Sequence, residues 1–304
     1  MRFDAIVFDI DNVLIDTRAS YTDCIRKTVE TYLETILKFQ PSRTPLLSRE
    51  EVERFKSLGG FNDDWDTCYG LLLYFLSKKI KKLSIHELAK QKDISKWVQT
   101  VKTKPLGVKG IERLLRQHLY FLPRNDVIAR QQTNQSRSNL QAKINLKQIT
   151  DIFQRFYLGE FVWNEKLLIP KSFLKNLKRL GLKIGIVTGR SREEASFALR
   201  RFQIDSAIDT MITTNETPKN LKKPHPYGLL KIAAKLGRNL RYLYVGDLPD
   251  DILAARRAKG EMKIASCGFL AASTLPGEMK RELKKAKADY VCKKPKELLK
   301  IILH

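Results

Sequence analysis

Long apolar runs are missing from this 304-residue sequence: no stretch of about 18 apolar residues occurs, so a membrane-spanning helix is not expected. Cysteine is scarce. Cys24, Cys68, Cys267 and Cys292 are scattered with no CxxC spacing, which argues against a disulfide framework or a thiolate zinc site. They read as reduced, mostly buried thiols of an intracellular protein. The four histidines, His86, His118, His225 and His304, share no ligand spacing, so a histidine-based metal centre is not expected either. No internal repeat is visible. Asp4, Asp9 and Asp11 interrupt the only apolar stretch near the N-terminus, so no secretory leader is expected and the cytoplasm is the expected location.

Acidic residues are outnumbered, with 57 Lys and Arg against 33 Asp and Glu, giving a formal charge of +24. Residues 1–17 carry −3, residues 18–165 carry +10 and residues 166–304 carry +17, so the excess is spread rather than gathered in a tail. Such a field concentrates anionic substrates and leaves loose binding of nucleic acid open; a Lys-rich solvated surface with no partner is the plainer alternative. At 43% hydrophobic and 30% charged residues the composition is that of a globular protein, long enough for one large or two smaller domains.

What is present is a set of short apolar runs of strand length, at residues 2–9, 182–188, 207–213, 240–245 and 262–266. Amphipathic segments of helical length separate the later ones, at 172–180, 193–202, 226–236 and 250–258, and Gly181 follows the first of these as a helix terminator. Strands alternating with helices predict an α/β fold built on a parallel sheet covered on both faces. Between the first strand and this alternation the texture changes. Segments 21–37, 48–56, 64–79, 84–91, 110–118 and 146–156 read as helices, with no strand alternation. Residues 124–143, rich in Gln, Asn and Ser, read as a mobile loop. The expected organisation is therefore a core domain of residues 1–17 and 166–304, with an all-helical domain of residues 18–165 inserted after its first strand.

Four places along the core carry chemistry. Strand one runs into Asp9-Ile10-Asp11-Asn12-Val13, two carboxylates where parallel sheets bind ligands. Like charges at a buried strand end require a cation or a hydrogen-bond network, although a solvated loop with two aspartates is the alternative for this motif alone. The run 182–188 ends in Thr188-Gly189-Arg190, a hydroxyl and a glycine that expose O–H and N–H donors to a phosphate oxygen. Lys223 precedes Pro224 in Lys222-Lys223-Pro224-His225-Pro226, which restricts its backbone and aims its ammonium. The run 240–245 leads to Gly246-Asp247-Leu248-Pro249-Asp250-Asp251. Asp247 with Asp9 would supply the oxygen ligands magnesium takes, while Asp250 reads as a helix N-terminal residue.

In this order the four elements resemble the haloacid dehalogenase superfamily. Its DxDx(T/V) motif resembles Asp9 to Val13, its strand-end Thr or Ser resembles Thr188, its KPxP lysine resembles Lys223, and its GDxxxD motif resembles Gly246 to Asp251. The resemblance covers residues 1–17 and about 166–292, and the helical insert is similar to the C1 cap of the phosphoglycolate-phosphatase-like subfamily. It implies a Rossmann-like core, a Mg2+ cofactor and a phosphatase. Asp9 would be the nucleophile that becomes an aspartyl-phosphate, and Asp11 the acid/base, with its main-chain carbonyl on the metal. Thr188, Gly189 and Lys223 would hold the phosphoryl group, Asp247 would complete the metal site, and Asp251 would support it directly or from behind. The family's phosphatases and phosphomutases keep an aspartate two residues after the nucleophile, so Asp11 points to phosphotransfer. Asn12 stands where glycine is usual, and asparagine tolerates the left-handed turn.

Three alternatives stay open: a phosphatase for a small phosphorylated metabolite, a phosphomutase, and a basic nucleic-acid-binding protein on the same scaffold. Monomer and homodimer are equally compatible with the sequence. In the helical insert, Phe61, Asn62 and Trp65 follow Gly59-Gly60 and are candidates for contacting a leaving group; the alternative is a helix-entry loop with Trp65 in the core.

Overall fold

The computed structural model describes residues 2–59, 61, 63–78, 82–101, 110–111 and 144–304. Residues 124–143, most of 110–118 and Asn62 therefore lie outside the described residues. The chain divides into two compact units, Met1–Arg18 with Glu165–His304 and Ala19–Asn164.

The first unit is built on six strands: β1 (Ala5–Phe8), β4 (Lys183–Val187), β5 (Thr210–Ile212), β6 (Arg241–Gly246), β7 (Lys263–Phe269) and β8 (Tyr290–Cys292). They form one sheet in the order β5-β4-β1-β6-β7-β8, and every neighbouring pair is parallel. β1 lies between β4 and β6, with Phe8 opposite Ile186 on one side and Val245 on the other. The chain winds outward from β1 in both directions, and the crevice at this point, beyond the carboxyl ends, is where such sheets bind ligands.

The uninterrupted apolar run of β1 has a simple cause: both faces of the strand are buried. Its pleat sends Ile6 and Phe8 into one core with Ile184, Ile186, Leu243 and Val245, under the helices Lys171–Arg179, Arg192–Arg201 and Pro295–Leu303. Ala5 and Val7 enter a second core with Val187, Tyr242 and Tyr244, under the helices Tyr227–Leu236 and Pro249–Ala258. Gly181 ends the Lys171 helix with a φ of 78°, the left-handed conformation a terminator needs.

Sequence reading misses the three-residue edge strand β8, the helices Pro276–Lys285 and Pro295–Leu303, and a two-stranded antiparallel ribbon of β2 (Ile15–Asp16) and β3 (Lys166–Leu167). Ribbon strands of two residues are too short to show an alternation.

The second unit is helical among the described residues. Its α-helices are Asp23–Thr31, Arg49–Lys56, Asp64–Leu76, Ile85–Gln91, Ile94–Val101 and Leu146–Gly159. The first of these is flanked by π-helical turns, Arg18–Thr22 and Tyr32–Ile36, where the sequence suggests one continuous helix. Ser48 and Glu51 cap the Arg49 helix reciprocally, each side chain bonding the other's backbone N–H. Tyr32, Phe55, Tyr74, Phe75 and Phe153 fill its core. Among the described residues no helix is long and apolar enough to cross a membrane.

Candidate active site

The three central strands deliver their first polar residues side by side. The backbone N–H of Asp9 continues the β1–β6 ladder by donating to the Val245 carbonyl (2.9 Å), and that of Thr188 donates to Ile212 (3.1 Å). Asp9 is 6% exposed and Thr188 5%. An aspartate this deep is costly unless its oxygens are satisfied. Oδ1 of Asp9 accepts the Ile10 N–H at 2.7 Å, and Oδ2 accepts the Lys223 ammonium at 2.9 Å.

Lys223 reaches this point from the loop between β5 and the Tyr227 helix, through a cis peptide bond to Pro224. Its Nζ donates to Asp9, to Oδ1 of Asp251 at 2.8 Å and to the Tyr244 hydroxyl at 3.2 Å. Burial alone would lower this ammonium, but the carboxylates of Asp251 and Asp9 outweigh it and hold it well above the usual lysine range. Burial pushes the Asp9 carboxyl up to about 7, against the pull of Lys223 and with Asp251 and Asp11 adding to the rise.

Asp251 opens the helix Pro249–Ala258 and is 1% exposed. Oδ1 accepts from Lys223 and from the Tyr244 hydroxyl (2.8 Å), while Oδ2 accepts the Leu248 N–H (3.0 Å), which also caps the helix. Gly246 is required beneath it. A Cβ on that residue would stand 2.3 Å from the Cβ of Asp251, so any side chain would displace this strut. The neighbouring Asp250 is also buried, in the first turn of the same helix.

Ligand oxygens of Asp9, Asp247 and Asp251 all lie within 4.8 Å of one another, the one such acidic group that could hold a metal among the described residues. The donor set is wholly carboxylate, which fits a hard divalent cation such as Mg2+ better than a soft one. Asn12, with a φ of 57°, adopts the left-handed turn. Its amide donates to Asp247 Oδ2 at 3.3 Å and its carbonyl accepts from the Thr17 hydroxyl at 3.0 Å, bonds that glycine could not make.

The Asp11 carboxylate is held by a different cation, Arg190. Its Oδ1 accepts Nε of Arg190 at 2.9 Å and Nη2 at 2.7 Å, and the same Nη2 donates to Glu165 at 2.7 Å. Thr188 Oγ1 accepts the Arg190 N–H at 3.2 Å, and Gly189 is exposed between them. Tyr244, Arg190 and Glu165 are the polar partners that sequence reading leaves out. Arg190 adjoins Thr188-Gly189, so its position in the motif is a usable signal. Tyr244 lies in an apolar strand and Glu165 is a lone acid between Asn164 and Lys166, and neither carries a local signature.

In the helical unit, Phe61 is 1% exposed and packs on Phe55 with ring centroids 5.0 Å apart, so its ring is enclosed by the core. Trp65 meets Phe153 edge-on at 5.9 Å and is partly buried.

The model of one family, haloacid dehalogenase-like hydrolase, matches residues 3–259. A relative from Caldanaerobacter subterraneus subsp. tengcongensis, named as a candidate pyrophosphatase PpaX, is 40% identical over 134 residues, 43% of this chain and 56% of the relative. The phosphoglycolate phosphatase of Pasteurella multocida is 34% identical over 120 residues, 38% of this chain and 53% of the relative. The chain thus spans about half the length of these curated relatives. A crystal structure of a candidate phosphoglycolate phosphatase from Lactobacillus delbrueckii subsp. bulgaricus superposes with a TM-score of 0.62 at 17% identity, covering 100% of this chain and 99% of that one, and shows the shared fold. With a family model running through all four motif regions of the core, this chain belongs to the haloacid dehalogenase-like hydrolases.

Proposed function

We propose that this hydrolase is a magnesium-dependent phosphatase that cleaves a small phosphate monoester through an aspartyl-phosphate on Asp9. The observation that carries the reading is the convergence of Asp9, Asp247 and Asp251, two of which, Asp9 and Asp251, also hold the buried ammonium of Lys223. Naming of relatives as phosphoglycolate phosphatase and pyrophosphatase supports a compact phosphorylated substrate.

Each residue has a task. A carboxylate oxygen of Asp9 attacks phosphorus; the new O–P bond forms as the bond to the leaving alcohol breaks, and Asp11 gives that alcohol its proton. Water then attacks phosphorus, Asp11 takes the water's proton, and the bond to Asp9 breaks to return free carboxylate and inorganic phosphate. Lys223 offsets charge on the phosphoryl oxygens, and the Thr188 hydroxyl with the exposed Gly189 N–H donates to them. Asp9 and Asp247, with the Asp11 main-chain carbonyl and Asp251 as further support, would hold magnesium, which would supply positive charge to the transferring group. Asp251, whose oxygens already accept three donors, acts chiefly by holding Lys223.

The test is a panel of phosphate esters assayed with and without Mg2+ for wild type, Asp9→Asn and Asp11→Asn. Turnover is expected only with metal, none for Asp9→Asn, and a fall of about 10²–10⁴ for Asp11→Asn. Wild-type activity in Asp9→Asn ends this reading.

A further inference from the structure

A carboxyl on a single methylene has a broad, weakly preferred terminal torsion, so its partners set its orientation. Among the described residues, the partner of the Asp11 carboxylate is one guanidinium, with Nε at 2.9 Å and Nη2 at 2.7 Å, both on Oδ1. Two coplanar N–H groups on Oδ1 restrain the carboxyl, and neither of them occupies Oδ2.

The guanidinium is itself held from several sides. The Arg190 side chain is 1% exposed and keeps its charge at any ordinary pH. The Glu165 side chain, 0% exposed, bonds it at 2.7 Å through Oε1 and stands 3.5 Å from Nη1 through Oε2. The main chain of Arg190 is anchored as well: its carbonyl accepts the Thr214 N–H (3.1 Å) and hydroxyl (3.2 Å), and its N–H donates to Thr188. Glu165 by itself balances the buried positive charge, as a buried ion pair requires. The contact with Asp11, which is 31% exposed and can be hydrated, is therefore not needed to neutralise Arg190.

We infer that Arg190, braced by Glu165, is a positioning residue that orients the Asp11 carboxyl for proton transfer to the leaving group. This role rests on the reading of Asp11 as acid/base. A purely structural ion pair is the competing account, and the two differ in one readout. An acid that has lost its aim matters little for a good leaving group and greatly for a poor one, whereas a loosened fold lowers all rates alike.

The experiment measures kcat/KM with Mg2+ for p-nitrophenyl, phenyl and p-methoxyphenyl phosphate. Variants are Asp11→Asn, the double variant Arg190→Met/Glu165→Met, which strands no buried charge, and the triple variant combining them. The double variant is expected to lose about tenfold on p-nitrophenyl phosphate and about 10²-fold on p-methoxyphenyl phosphate, with the triple variant no slower than Asp11→Asn alone. Should the double variant fail a thermal melt, Arg190→Lys, which keeps the charge beside Glu165 without two coplanar donors, is read the same way. A uniform loss across the three esters, undiminished rates, or losses that multiply with Asp11→Asn would overturn the role. Wild type inactive on all three esters removes the phosphatase reading itself, and this role with it.

Discussion

Asp9 and Lys223 share one buried environment, and their protonation is coupled to folding. The Asp9 carboxyl, raised by burial from 3.8 to about 7, binds a proton more tightly in the fold than in the unfolded chain. Its contribution to stability is full below the unfolded value and drains as pH rises through the folded one, because the fold then holds more protons than the unfolded chain. The expected outcome for metal-free protein is that the Tm of wild type, measured against Asp9→Asn, falls between about pH 4 and pH 7. If Mg2+ binds the ionised carboxylates as proposed, saturating Mg2+ is expected to reverse the trend and to stabilise most at the upper end. A Tm difference flat across that window contradicts the burial argument. This coupling is invisible in the sequence. Asp9, Asp247, Asp251 and Lys223 can be picked out by their motifs, but Tyr244, whose hydroxyl donates to Asp251, is only another aromatic in an apolar strand.

Elements were legible where burial imposes a pattern. The central strands are apolar on both faces, so their runs stand out, and Thr188, Asp9 and Gly246 mark where the runs stop. β8 is three residues long, and its neighbour Pro276–Lys285 buries only Met279 and Leu283 beneath a charged surface, so neither announces itself. Packing between elements is less readable still. Gly246 and Gly268 are register partners on β6 and β7, yet their constraints differ. A Cβ on Gly268 would stand 2.6 Å from Cδ1 of Leu283, the end of a side chain that can swing away, whereas one on Gly246 would strike Asp251. Gly268→Ala is expected to cost about 1–3 kcal/mol in denaturant unfolding and leave kcat within about twofold, as overpacking of a core does. Gly246→Ala is expected to abolish most turnover, because displaced Asp251 no longer holds Lys223. Equal effects of the two substitutions on kcat would show that the Gly246 contact has no bearing on the site.

Across the whole molecule, charge near the site and charge overall have opposite signs. Asp9, Asp11, Asp247, Asp251 and Glu165 set five carboxylates against the two cations Lys223 and Arg190. An anionic ester approaching that rim is repelled at short range unless a wider field draws it in. The chain carries +24, made up of −3 over residues 1–17, +10 over residues 18–165 and +17 over residues 166–304, which supplies such a field. Long-range attraction acts on encounter rather than on chemistry, and salt screens it over about 10 Å at 0.1 M. With Mg2+ held saturating, kcat/KM for a dianionic ester is therefore expected to fall about tenfold between roughly 0.01 M and 0.3 M NaCl while kcat stays level. Bringing the net charge toward +12 by Lys→Gln changes at exposed sites toward the opposite end of the strands, such as Lys263, Lys284, Lys287 and Lys300, should flatten that slope in proportion. A slope indifferent to those changes assigns the positive surface to solvation alone, and a drop in kcat instead of kcat/KM would move the salt effect from encounter to the chemical steps.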